Sequence, residues 1–432
     1  MFTPAPTRRA FGLQACVLAA LAAGCGGTGD TDAIVISPVP TPPPPTPVPP
    51  PPTPAPPAPP PAPAPSSGVP SAATLLSTLE NFAQTAARHW SFGGHTVSEP
   101  FDVNQGWWDY ADTTYEPWLF DRPQAWHLLY GMTGRVDWLQ QANSDLGYYE
   151  SRLDARGIFL NKTGEADTKY SYVHRWSTNA AKRQAAYDAT VAGWPDRPNL
   201  ASGALWTERE VWVALQAAVE LRSAGGGHAL ATRAQAMLDH WDEVCAGGPA
   251  PLVSYTQHEG GGPGGTTPTD PVSSPWMSAL YFQAAREYGE LEPSAQAQVH
   301  RQASRYFDWL ATPQARGFYP GASVHPEYDG LTFPAYLAGG TLIGDAGPDA
   351  AHAEHALDLA GFCAFAVNAK LALGESPDAA FAMYEAMKRT AARVFADWTR
   401  STPSLPRYRL TPPRKFNWWV RGMHEISVNG LG

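Results

Sequence analysis

Between Pro38 and Pro65, 19 of 28 residues are proline. No helix or sheet can run through such a stretch, because each ring fixes φ and removes a backbone donor. The expected form is an extended polyproline II rod, at about 3.1 Å per residue roughly 90 Å long. The rod divides the chain. We read residues 1–24 as a signal peptide, 25–37 as a lipid-anchored N-terminus, 38–70 as the proline-rich linker and 71–432 as the folded, catalytic part.

At the N-terminus, Thr7-Arg8-Arg9-Ala10-Phe11-Gly12-Leu13 precedes an apolar run, Cys16 to Ala23. That run is too short to span a bilayer, which takes about 20 apolar residues. The paired arginines resemble the twin-arginine export motif, an ordinary secretory signal being the other reading. Leu21-Ala22-Ala23-Gly24-Cys25 resembles a bacterial lipobox, although Ala22 stands where the leucine is usual. The resemblance implies cleavage before Cys25 and acylation of its thiol, hence a bacterial envelope protein. Gly26 follows the cysteine, where an aspartate would retain it at the inner membrane, so the outer membrane is expected.

Removing residues 1–24 takes away two arginines and no acidic residue, leaving 28 basic against 40 acidic side chains and a net charge of −12. That sign disfavours nucleic acid as a partner. Only Cys245 and Cys363 remain beyond the anchor, too few for a disulfide framework or a zinc site; they read as buried thiols or as one bridge. The 16 Trp, 17 Tyr and 16 Phe exceed what a core needs and suggest a cleft lined by rings.

Periodicity in the folded part is helical almost throughout. Leu75, Leu79, Phe82 and Ala86 form one stripe, and Leu139, Ala142, Leu146, Tyr149 and Leu153 another. Trp212, Leu215 and Val219 form a third, and Phe381, Tyr384, Met387, Ala391, Val394 and Trp398 a fourth. Thr207-Glu208-Arg209-Glu210 reads as a capping box, and Ser274-Pro275 and Ser376-Pro377 as helix starts. Ten to twelve helices are expected, with a hairpin or extended pair over 157–176. Short glycine turns near Gly131–Gly134, Gly225–Gly227, Gly289-Glu290 and Gly374-Glu375 alternate with long segments near 91–116, 157–176, 193–204, 246–273, 313–333 and 401–425. Helical hairpins laid side by side would put those long segments, and a site, on one face.

This alternation, with the wording Leu128-Leu129-Tyr130-Gly131-Met132-Thr133-Gly134-Arg135-Val136-Asp137-Trp138-Leu139, resembles the (α/α) toroid carbohydrate-active enzymes. The resemblance implies a mainly α toroid of about five to six helical hairpins, with a small β-hairpin and a sugar cleft at the long-loop end. It covers about residues 71–398 and specifies no family within that group.

Hydrolysis of a glycosidic bond needs two carboxyl groups, one protonated and one ionised, with rings to stack the sugar. Asp109, Asp112 and Glu116 stand among Trp107, Trp108, Tyr110 and Tyr115; the competing reading of Asp112 or Glu116 is a cap for the helix that Pro117 starts. Glu208, beside Trp206, is a further carboxylate or a favourable charge in a helix's first turn. Elimination next to a uronate is the alternative chemistry. Tyr172, His174 and Arg175 supply a base and a cation for it, with Trp176 on the same strand face; the competing reading is a hairpin whose rings pack on the domain. Trp276, and Trp418 and Trp419 in the tail 414–421, are expected as sugar-binding rings, the tail also reading as a strap packed over the helices. His352 and His355 read as surface or packing residues.

A metal site at His258-Glu259 or His325-Pro326-Glu327 lacks zinc-enzyme spacing, and no cofactor is expected. The expectation is thus a monomeric, surface-anchored enzyme with a carbohydrate substrate, a glycoside hydrolase by preference. The alternatives are a polysaccharide lyase and a non-catalytic glycan-binding lipoprotein.

Overall fold

A computed structural model describes residues 68–89, 122–151, 228–246, 253–254, 271–339, 350–398 and 415–431, with Trp212, Leu215, Gln216, Ala218, Val219, Arg222 and Ser223 from a further helical stretch. All of them belong to the unit Ala58–Gly432. The described part is mainly α. Its helices are α1 (Ala72–His89), α2 (Arg122–Thr133), α3 (Val136–Ser151), α4 (His228–Ala246), α5 (Pro275–Leu291), α6 (Pro293–Leu310), α7 (Ala356–Leu373), α8 (Asp378–Trp398) and α9 (Lys415–Asn429).

Three pairs of consecutive helices are joined by short turns: α2 to α3 through Gly134, α5 to α6 through Glu292, and α7 to α8 through Gly374, left-handed at φ 73°. The α5 helix does not turn at Gly289 as its sequence suggests. It continues to Leu291 and stops where Pro293 removes a donor and forces Glu292 out of the helical region, to φ −122° and ψ 85°. Gly289 serves a close approach instead, since a Cβ there would lie 3.3 Å from the Gln296 Cα of α6. The Gly225–Gly227 turn and the expected hairpin over 157–176 lie outside the described residues.

Ser274 precedes α5 in extended conformation, and its carbonyl accepts from the Ser278 N–H at 2.9 Å. Ser376 caps α8, its Oγ accepting from the Asp378 N–H at 3.4 Å. The apolar stripes face the core as read in α1 (Leu75, Leu79, Phe82) and α8 (Phe381, Tyr384, Met387, Ala391, Val394). In α3 the buried line runs through Trp138, Ala142 and Leu146, with Leu139 half-buried beside it.

At the centre lies α7, apolar on every side. Within His352–Leu373 an 18-residue window reaches a mean hydropathy of 1.5, enough by length and composition to cross a bilayer, yet 78% of that window is buried inside the protein. Helices α5, α6, α8 and α9 pack around it, the arrangement such a sequence requires in water. Its closest neighbour is α9. A Cβ on Gly361 would come within 2.7 Å of the Glu425 Cβ, and one on Gly422 within 2.8 Å of the Leu357 carbonyl, so the two backbones touch where both residues lack side chains.

Leu357 meets Gly422, Gly361 meets Glu425, and Asn368 bonds Asn429. The pairs advance together, so α7 and α9 run parallel. Helix α5 shares the direction: Trp276 packs on Trp418 and Arg286 bonds Glu425. The starts of α5, α7 and α9 therefore gather at one end, and Gln124 in the first turn of α2 joins them by bonding Arg421. Each of these four helices follows one of the long segments.

Strands are short. Val253–Ser254 pairs antiparallel with Pro271–Val272 (β1, β2), and Phe318–Pro320 with Thr332–Pro334 (β3, β4). Both pairs fall in stretches read from sequence only as long connections. Cys363 is a free thiol buried in α7; burial pushes its pKa well up, which makes it inert as a nucleophile.

Candidate functional site

At the end where the four helices start, a 3-10 turn, Ala350–His355, leads into α7 with His355 at its N-cap and Asp358 in its first turn. The His355 imidazole lies between two carboxyl groups: its Nδ1 is 3.3 Å from Asp358 Oδ2 and its Nε2 3.6 Å from Glu354 Oε1. Trp276, second residue of α5, stacks on the imidazole at 4.7 Å and 6°. Trp418 of α9 lies 5.2 Å from it and Tyr336, in the segment after β4, 6.1 Å. Tyr336 also stacks on His352 at 5.6 Å, and the Tyr319 hydroxyl of β3 meets His352 Nδ1 at 3.1 Å. Rings from two helices, from β3 and from the segment after β4 thus surround two histidines and two acids.

The charges here are held in place from behind. Trp419 donates its indole N–H to the Glu354 carbonyl at 3.0 Å. Arg421, buried on α9, bonds the Gln124 side chain and lies over the Trp212 ring at 5.6 Å. Asp358 is 1% exposed, and its Oδ1 accepts no hydrogen bond from any described residue. Burial, helped by the nearby Glu354 carboxylate and opposed by the Arg421 charge, raises its pKa well above the usual carboxylate value. These surroundings favour the neutral form of this carboxyl more than water does. Among the described residues no group of three or more His, Cys, Asp or Glu is placed to hold a metal.

Trp276 and Trp418 belong to this cluster, buried and packed together. Trp419 turns the other way, into the core against Phe82 and Phe395 at 5.7 and 5.2 Å. The tail that carries both tryptophans is helical from Lys415 onward, so the last long segment ends earlier than its sequence suggests. His352 and His355 are packing residues and not surface ones, at 7% and 2% exposure. His325 and Glu327 are exposed on the β3–β4 hairpin, 3.7 Å apart, and Glu327 also faces Arg393.

Cys25, Trp107, Trp108, Asp109, Tyr110, Asp112, Tyr115, Glu116, Tyr172, His174, Arg175, Trp176, Trp206 and Glu208 lie outside the described residues. The chain bearing Asp109 to Glu116 joins the described structure at Arg122, whose guanidinium is buried against Asp145 at 3.0 Å. Trp126 donates to the same carboxylate at 2.6 Å, which ties the start of α2 to α3. The chain bearing Glu208 joins at Trp212, under Arg421.

Sequence reasoning missed Glu354, Asp358, Tyr319, Tyr336 and Gln124; Arg421 lies in the 414–421 tail whose mix of bases and rings the sequence already marks. One signal was available: His355 and Asp358 are three apart at the start of an apolar helix, a spacing that sets an N-cap side chain beside the first-turn acid. Comparisons of the chain with protein-family models, with curated proteins and with solved structures found no match.

Proposed function

We propose that this protein is a surface-anchored enzyme that cleaves a polysaccharide or oligosaccharide by hydrolysis. Its helices would be hairpins of an (α/α) toroid, its substrate would enter at the end where α2, α5, α7 and α9 begin, and an acylated Cys25 with the proline rod would hold it off the outer membrane. One observation carries this reading: the long segments lead into helices whose starts converge on a buried cluster of Trp276, Trp418 and Tyr336 with carboxyl and imidazole groups.

Flat rings bind sugar faces, and a dry, ring-lined setting keeps one carboxyl protonated beside an ionised one, the condition glycosidic cleavage needs. The ionised partner comes from Asp109, Asp112, Glu116 or Glu208, on the two chain segments that run into this end at Arg122 and Trp212. It removes a proton from the attacking water or attacks the anomeric carbon itself. Arg421, fixed by Gln124, adds a positive charge within reach of a sugar acid or hydroxyl.

The test is a panel of neutral and uronic-acid polysaccharides incubated with the mature chain, following new reducing ends and the near-ultraviolet absorbance of an unsaturated uronate. Reducing ends without absorbance are expected. Both signals rising together would move the chemistry to elimination through Tyr172, His174 and Arg175. Binding without turnover on every glycan would leave a glycan-binding lipoprotein.

A further inference from the structure

We propose that the opposite end of the helices holds a second, non-catalytic site, a pocket for one sugar residue that carries no negative charge. Such a site is separate from the cleavage reading and does not depend on it. The pocket has a volume of about 250 Å³ and is walled by α5, α6, α7 and α9. Gly289 of its wall stands about 20 Å along α5 from Trp276, at 1.5 Å per residue, so the pocket is no part of the ring cluster. Its size falls just under the roughly 300 Å³ at which pockets for drug-sized ligands begin, and fits a single ring.

The floor is apolar and the walls have hydrogen-bonding capacity to spare. Phe365 of α7 and Val299 of α6 line the pocket while almost wholly buried, and Val428 of α9, 47% exposed, stands at its mouth. The half-buried His300 ring leans on Phe365 at 5.9 Å, and its nitrogens bond no described residue. Burial lowers its pKa below the usual 6.5, so at neutral pH the imidazole offers one donor and one acceptor. Asn368 donates to the Asn429 carbonyl and side-chain oxygen at 2.9 and 3.0 Å, which leaves its own Oδ1 to accept. Gln296, exposed on α6, brings a second amide to the rim.

Charge narrows the ligand class. Arg286 reaches the wall, but its guanidinium bonds Glu425 twice at 2.8 Å and Glu290 at 2.6 Å, with Glu287 at 4.0 Å. Three carboxylates around one guanidinium leave no positive field to draw an anion, while its remaining N–H groups can still donate to a neutral hydroxyl. An apolar ligand would strand His300 and Asn368 without partners. A sugar ring meets all three conditions. It has an edge of hydroxyls that both donate and accept, a face of C–H groups for Phe365 and Val299, and no charge to oppose Glu290.

The plainer reading is a crevice between helix ends that holds only water. Spectra of the mature chain carrying carbon-13-labelled histidine separate the two, the His300 signal being the one lost in His300→Phe. That signal should move as glucose, galactose or mannose is added at millimolar concentration. Glucuronate should bind there about tenfold or more weakly, because its carboxylate meets like charges. Val428→Trp, which fills the mouth from an exposed position, should weaken neutral-sugar binding about tenfold or more. His300→Phe, which keeps the ring and removes its hydrogen bonds, should weaken it about 3- to 30-fold, read from the sugar's own signals.

A His300 signal unmoved by all three sugars would overturn the proposal, as would glucuronate binding as well as they do or Val428→Trp binding like the wild type. Should His300→Phe not fold, His300→Gln identifies the signal in its place. Cleavage is read separately in the wild type. Sugar at this pocket without cleavage of any glycan overturns the hydrolytic reading alone, and cleavage with no sugar at this pocket overturns this proposal alone.

Discussion

Two buried carboxyl groups flank the contact between α7 and α9, and they have opposite fates. Glu425 of α9 receives both arms of Arg286 from α5, at 2.8 Å each. Burial pushes its pKa up, but the Arg286 charge and hydrogen bonds from His424 and Arg286 outweigh that and hold it at about 2. Asp358 of α7 is as deeply buried, receives no guanidinium and is pushed the other way. Depth alone therefore does not decide what a buried acid does. The first is saturated with donors and locks three helices; the second keeps an oxygen in reserve.

The comparison breaks most visibly at the saturated acid. Glu425→Gln leaves the Arg286 charge in the core and should lower unfolding free energy by about 3–5 kcal/mol, while replacing both partners with apolar residues of similar volume should recover much of that loss; urea titrations of the two single variants and the double measure it.

Next in size is the pH dependence. Glu425 is held at about 2 against 4.5 for the unfolded chain, so its contribution is complete above about 4.5 and is lost as the pH falls toward 2, about 3 kcal/mol in all. Asp358 acts in the opposite sense. Its folded pKa lies above the unfolded 3.8, so the unfolded chain releases its proton first and stability falls as pH rises from there. Thermal unfolding of Asp358→Asn should accordingly gain on the wild type between acid and neutral pH, and that of Glu425→Gln should lose ground over the acid part of the same range.

Gly422→Ala pushes a methyl against the Leu357 carbonyl and should cost about 1–3 kcal/mol. The methyl would also press on the Leu357–Asp358 peptide, and a lowered urea midpoint would show the cost. The smallest effect is expected at Lys370, a buried amine whose partners Asp308 and Glu375 are largely exposed. Lys370→Met leaves both carboxylates in water and should cost about 1 kcal/mol or less.

What could be read in advance follows the same physics. Stripes such as Leu75, Leu79 and Phe82, and turns such as Gly374, are local signals and stand in the fold as expected. Helix α7 gives no such signal, since a segment apolar on all sides names no preferred face. The β3–β4 pair is only three residues a side, too few for alternation to register. His352 and His355 owe their burial to Tyr319, Tyr336 and Trp276, partners far away in the chain. Trp418 and Trp419 look alike in sequence, yet adjacent helical positions point about 100° apart, which sends one to the cluster and the other to the core. The carboxylates read first for catalysis sit in long segments where no periodicity applies. Asp358 sits in a helix, where a lone acid reads as routine.

The apolar character of α7 also bears on how the chain is made. Until α5, α6, α8 and α9 close over it, His352–Leu373 is a stretch long and apolar enough, by length and composition, to enter a lipid bilayer. A polypeptide threaded unfolded across a membrane would offer this stretch to lipid midway through transit, where it acts as a brake. One that folds beforehand carries it across already hidden.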